Sequence, residues 1–313
     1  MATFLVAANG PSHRQHDEHE RRRDEDREDR DEHLANDTRV TPTNKSRRVT
    51  TTLDSSPINV VEALRGDRSK RPLIDIASAG GLRSLLEDGI FEVIGAQRLE
   101  TPIVVRTSSL HQRFATTDVA MSSTGRIRGV LVSQLLRLLS VGMTIDHAFN
   151  DALAAWRGDV GPNELLEQLV SLDDDERARL ATDVEAHYVT LARALGDVPA
   201  QWKPRSSVRA TQRLAGGNVV LRDVVDLMIG TSTSEVASIA LFDVTTSPLG
   251  EGAERTMRYH ALLQTLRTSV MPLRTCTFSS ATGEIWIRDV DYELLARSVG
   301  DVLTNVGEQW SAR

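Results

Sequence analysis

The run NVVLRDVVDLMIGTSTSEVASIALFDVTTS, residues 218–247, settles the class of fold. Val219 to Ile229 is almost continuously apolar and β-branched, interrupted only by Arg222, Asp223 and Asp226. Gly230 to Ser234 is a turn cluster, and Val236 to Val244 is apolar again until Asp243. Two such runs bounded by Gly and Ser clusters predict a buried β-hairpin. A charged Asp inside an apolar strand is costly unless it is paired, hydrogen-bonded or on a metal. Asp226 and Asp243 therefore need an explanation.

Alternation sharpens the question, because side chains i and i+2 share a face of a strand. Ile239, Leu241, Asp243 and Thr245 are expected on one face, and Arg222, Val224, Asp226 and Met228 on one face of the first strand. A hairpin turning near residue 232 would pair Asp243 with Leu221. That leaves Asp226 about 16 Å away along the strand. The carboxylates meet only if the hairpin is offset, strongly twisted or bulged.

The rest of the chain bounds the function. Its 313 residues make one large domain or two ordinary ones, and 40% apolar content supports a real core. A net charge of −7 does not suggest a general nucleic-acid coat, although a local basic groove is compatible with it. Aromatic content of 4% weakens any model built on base stacking. The single cysteine, Cys276, rules out disulfides within the chain, cysteine-only zinc sites and an iron–sulfur cluster, and fits a reducing cytoplasm. No stretch reaches the length of a membrane span, and MATFLVAANG has neither the basic nor the apolar region of a signal peptide. A cytoplasmic chain without membrane contact is expected.

Residues 1–55 are expected to form a disordered tail, since 12–48 are charged and nearly devoid of apolar side chains. His13, His16 and His19 recur there at helical spacing, which a solvated tail explains without a metal. Residues 56–313 form the globular part. Short helices are predicted at 60–64 and at 78–87 with Ser78 as cap, strands at 91–94 and 103–105, and an apolar helix at 126–139. A helical region of about 144–200 follows, with Thr144 capping its first helix and Asp173 to Asp175 opening its longest. Residues 200–217 are expected to be a basic connector. After the hairpin come a helix at 254–267, a second hairpin over 273–290 and a helix at 292–306 capped by Asp291. The fold class is α/β (α+β), a mixed central sheet flanked by helices.

These elements resemble the RecB-like branch of the PD-(D/E)XK nuclease superfamily, best over the core motifs at 218–305. That branch places a G-x-x-x-H helix first, then a helical insertion. A strand Asp follows, then a strand with (D/E)-x-K, and then a helix with a Gln/Tyr element. Here Gly129 to Ser133 takes the first place, 144–195 the insertion, Asp226 the strand acid, Asp243-Val244-Thr245 the (D/E)-x-K, and Arg255 to Tyr259 the last helix. The resemblance implies a restriction-endonuclease-like fold, a Mg²⁺ ion held by Asp226 and Asp243, and hydrolysis of DNA. A hard Mg²⁺ takes oxygen ligands, and the lysine of the motif orients the attacking water.

Two parts of the pattern are missing. Thr245 stands where the lysine belongs and Ser133 where the histidine belongs. A neutral threonine lacks the lysine's charge. Only three lysines exist in the chain, Lys45, Lys70 and Lys203, and Lys203, just before the hairpin, is the candidate replacement. Arg255 and Arg258 are the candidate DNA contacts. Tyr259 is expected in the core and His260 partly exposed on its helix, while His111 and His147 lack ligand spacing. Three readings stay open: a Mg²⁺-dependent nuclease with a degenerate site, a non-catalytic scaffold of a DNA repair, replication or mobile-element complex, and a protein-interaction module without DNA.

Overall fold

The computed structural model describes residues 49–51, 60–66, 76–112, 122–159, 163–231 and 238–313. The tail histidines, Lys45, Lys70, Pro162 and the turn centre 232–237 lie outside them. In chain order the elements are β1 (Val49–Thr51), α1 (Val60–Arg65), α2 (Ile76–Ile94), β2 (Ile103–Val105), α3 (Thr107–Gln112), α4 (Ser123–Ser140), α5 (Ala148–Asp159), α6 (Glu164–Ser171), α7 (Asp174–Leu195), β3 (Arg205–Leu214), β4 (Val219–Ile229), β5 (Ala240–Thr245), α8 (Glu251–Thr268), β6 (Arg274–Ser279), β7 (Ile285–Asp289) and α9 (Tyr292–Ser311). Among the described residues seven strands form one mixed sheet in the order β1-β7-β6-β5-β4-β2, with β3 on β4.

Helices cover both faces of that sheet. One core gathers Leu131, Leu135 and Leu136 of α4, Ala152 of α5 and Leu191 of α7 with Leu227, Ile229, Phe242, Cys276 and Phe278 of the sheet. The other gathers Leu86 and Ile90 of α2, Leu262 and Leu263 of α8 and Val302 of α9 with Leu221, Val225, Met228 and Leu241. The expected mixed sheet flanked by helices is therefore the architecture. The helical region supplies most of one layer. Its longest helix, α7, opens with Asp173 in a reciprocal capping box with Glu176.

Four local expectations are corrected. Residues 91–94 are not a strand. Leu82, Leu86, Ile90 and Ile94 are buried at intervals of four, so α2 runs unbroken and Ser78 lies inside it. Thr144 caps nothing, since α5 starts at Ala148. β1 falls within the stretch that composition assigns to the tail; its β-branched VTT adds an edge strand to β7. The basic connector contains a full strand, β3, paired with β4 from Leu214↔Val219 to Arg205↔Met228. Its apolar content is too low to announce a strand, because its odd-numbered residues from Arg205 to Arg213 face solvent.

Two features of β4 make the site. β3 occupies one edge of β4 along nearly its whole length. The other edge is shared: β2 pairs in parallel with Val219 to Leu221, and β5 pairs antiparallel with Leu227 to Ile229. Among the described residues no strand lies beside 222–226 on that edge, so the sheet splits there. The alternation of β4 also breaks in the same place. Leu221, Val225 and Met228 all face the second core, while Leu227 and Ile229 face the first. The break falls at Asp226. Opposite it on β3, between the pairs Ser206↔Leu227 and Val208↔Val225, Ser207 adopts a left-handed φ of 50°.

Candidate functional site

The hairpin register brings the two acids together. β4 ends at Ile229 and β5 begins at Ala240, so the connection is longer than a turn centred on residue 232. The pairs Ile229↔Ala240, Met228↔Leu241 and Leu227↔Phe242, continued by one step, set Asp226 opposite Asp243. The offset that sequence left open is real, and five residues of apparent separation vanish. Because the pleat breaks at Asp226, Asp223, three residues upstream, also points toward the side where Asp243 lies. Strict alternation would put Asp223 and Asp226 on opposite faces.

The split in the sheet is filled by carboxylates. The Val244 amide donates to Asp226 Oδ2 at 2.9 Å, and the Asp226 amide donates to Asp243 Oδ1 at 3.4 Å. The Thr107 amide donates to Asp223 Oδ2 at 2.7 Å. Ser133, on α4, donates its hydroxyl to Asp226 Oδ1 at 3.1 Å. Ser133 therefore stands in the place where the resemblance implies a histidine, and it touches the strand acid.

The residue that sequence misjudged is His260. It is 3% exposed rather than partly exposed, and it lies among the acids. Its Nδ1 donates to Asp243 Oδ2 at 2.8 Å. Its Nε2 is 3.7 Å from Asp223 Oδ2, a Coulombic contact beyond hydrogen-bond length. The neighbouring Tyr259, fully buried, donates its hydroxyl to the Val105 carbonyl at 2.8 Å. That bond ties α8 to the end of β2, beside the split, and sets the next residue over it. No ligand spacing announces His260 in the sequence. Its signal is only that it follows the Tyr259 position of the motif helix.

The electrostatics follow from this packing. Burial works against a charged His260, yet the charges of Asp243 and Asp223 outweigh it and push its pKa up to about 10. At neutral pH it is an imidazolium. Asp223 is drawn down to about 2: burial opposes its ionisation, but His260 and the Thr107 amide prevail. Asp226 is pushed up to about 7, first by burial and then by the Asp243 charge, in spite of the bonds from Val244 and Ser133.

Of the other expected site residues, none joins the acids. Thr245 accepts a bond from the Ser247 amide at 3.2 Å and serves the turn after β5. Lys203 is exposed in a left-handed conformation as the cap of a short 3-10 turn, and among the described residues the partners of Asp226 and Asp243 are Ser133, Val244, His260 and the Asp226 amide, not this lysine. Arg255, 9% exposed, pairs with Glu251 at 3.1 Å, and Arg258 pairs with Asp301 at 2.7 Å. Both are thus paired with carboxylates within the fold. Their carboxylate partners, at i−4 and on α9, are set by helix packing and are invisible to motif reading.

The donor set also bears on the implied Mg²⁺. Both oxygens of Asp226 accept protein donors, and Asp243 is committed to the Asp226 amide and to an imidazolium. Among the described residues no group of three or more His, Cys, Asp or Glu side chains could hold a metal ion. As arranged, the acids are bonded to protein donors, with the His260 ring on Asp243.

No protein-family model matches the chain, and no curated protein sequence matches it. Among solved structures the chain is similar to that of SSO0001, at 12% identity and a TM-score of 0.27, covering 71% of this chain and 84% of that one. A likeness so loose carries no argument about fold or function. Among the described residues no helix is long and apolar enough to cross a membrane.

Proposed function

We propose that the chain is a DNA-associated, non-catalytic module with a RecB-like, restriction-endonuclease-like fold, acting as a scaffold in a DNA-processing complex of the cytoplasm. One observation carries this reading: the His260 ring is hydrogen-bonded to Asp243, one of the two carboxylates that would hold the ion, and faces Asp223 with its other nitrogen. The paired acids and their element order speak for the nuclease ancestry, and Thr245 in the lysine position speaks against hydrolysis. With no lysine beside the paired acids and the His260 ring bonded to Asp243, the arrangement lacks the group that orients the attacking water.

The test is cleavage of single- and double-stranded DNA with Mg²⁺ or Mn²⁺, wild type beside Asp243→Ala. Uncut substrate with well-folded wild type is expected. Cleavage by the wild type that Asp243→Ala abolishes would establish a nuclease instead and overturn the closed-site reading.

A further inference from the structure

A second feature opens beside the acids, on the solvent face of the β3–β4 ribbon. A groove of about 320 Å³ is lined by Arg106, Arg209, Ala210, Thr211, Arg222, Asp223 and Val224. Three arginines thus line one depression. The single acid among them, Asp223, already accepts the Thr107 and Val224 amides and faces His260. Several arginines of the helices, Arg83, Arg128, Arg137, Arg258 and Arg297 among them, each have a carboxylate partner. Among the described residues Arg106, Arg209 and Arg222 form no such ion pair. In a chain of net charge −7, three unneutralised arginines in one groove are a local feature rather than a consequence of composition.

The ladder arranges them in a row. Arg209 is paired with Val224, Thr211 with Arg222 and Arg213 with Val220. Directly paired residues share a face, so Arg209, Arg222 and Arg213 project from the same exposed surface. Along the strands they follow one another at two-residue steps, about 7 Å each. Arg106, at the end of β2, adds a cation on the β2 side of the groove.

We propose that this groove binds the phosphodiester backbone of a nucleic acid. Guanidinium groups match phosphate oxygens bidentately, and a row of them suits a polymer with repeated charge better than a single phosphorylated side chain. An acidic protein partner is disfavoured by the lining. Stable protein interfaces centre on aromatic or large apolar anchors, whereas Ala210 and Val224 are the only apolar side chains here. The same lack of aromatic rings excludes base stacking. Binding is therefore independent of sequence and strongly dependent on salt. This site builds on the DNA-associated reading but needs neither an open nor a closed acid cluster.

The experiment measures binding of the full chain to labelled single- and double-stranded oligonucleotides across a salt series. Wild type is compared with Arg209→Glu/Arg222→Glu and with Arg297→Ala, a helix arginine outside the groove's lining and paired with Glu293. We expect the double reversal to weaken binding at least about tenfold. It should also flatten the slope of log K against log salt by about two for a duplex, one phosphate contact per arginine. Arg297→Ala should behave as wild type. Nucleic-acid binding with the double reversal indistinguishable from wild type overturns the groove, as does no nucleic-acid binding at low salt. Capture of polyglutamate in place of nucleic acid would overturn it in favour of an acidic protein partner. DNA cleavage by the wild type would sink the closed-site reading and leave the groove standing, so the two failures are distinguishable.

Discussion

Asp226→Asn should stabilise the protein, and more so as pH rises. Burial and the Asp243 charge hold the Asp226 carboxyl up at about 7, against 3.8 when unfolded. An acid raised in the folded state costs nothing below its unfolded pKa. Between 3.8 and 7 the unfolded chain releases a proton that the folded chain keeps, so stability is lost steadily across that window and the loss is complete above it. At about 1.4 kcal/mol per pH unit, the cost comes to about 2 kcal/mol at pH 5 and about 4 kcal/mol at pH 8. Asp226 keeps some contact with water, and screening reduces these values to about 1 and about 2 kcal/mol. Asparagine removes the charge and keeps the shape. Its Oδ1 can accept from Val244 and its Nδ2 can donate to the Ser133 hydroxyl, so any change in bonding adds a constant that does not vary with pH. Urea unfolding of wild type and variant at pH 5 and pH 8 reads the difference. The variant should gain about 1–2 kcal/mol relative to wild type between the two. A difference that stays flat or shrinks with rising pH would refute the coupling of Asp226 to Asp243.

Two further substitutions test the surroundings of the site. His260→Ala leaves Asp243 and Asp223 buried without their cation and should cost about 3–5 kcal/mol at pH 7 by urea unfolding. In an Asp243→Asn background the same change should cost clearly less, and an additive double-mutant cycle would show that the two do not act as a pair. Gly230→Ala should destabilise by about 1–3 kcal/mol, because Gly230 follows β4 at φ +85° with its amide on the Trp202 carbonyl, and a Cβ added there would run into the Ser238 carbonyl. Thermal unfolding unchanged from wild type would contradict that geometry.

Most of the fold could be read before any coordinates, because its layers rest on strong periodic signals. The β4 and β5 runs, the apolar α4 and the capped α7 and α9 all stand where hydrophobic patterning and caps place them. β3 escaped because a strand with one face in solvent carries arginine, serine and threonine where a buried one carries valine. The site was half legible. Asp226 and Asp243 announce themselves as charges inside apolar strands, but their meeting depends on a hairpin register that the long connection sets. His260 was invisible because burial of a helix residue next to a tyrosine depends on which way α8 is rolled. The Tyr259 bond to Val105 fixes that roll from 154 residues away.

The acids have a structural duty in the fold. Where β2 and β5 diverge, residues 222–226 of β4 lack a strand neighbour on one edge. Amides left bare in such a gap would each cost about 1–3 kcal/mol. The carboxylates replace the missing ladder: Asp243 takes the Asp226 amide, Asp226 takes the Val244 amide and Asp223 takes the Thr107 amide. A lysine in the place of Thr245 has no such duty, so its absence leaves no unsatisfied backbone. Negative charge kept in the gap still needs a counter-charge, and His260 supplies one from within the chain without a diffusible ion. The acids are therefore tied into the backbone of the split sheet whatever chemistry they carry. Their presence reports the architecture of the split sheet before it reports chemistry.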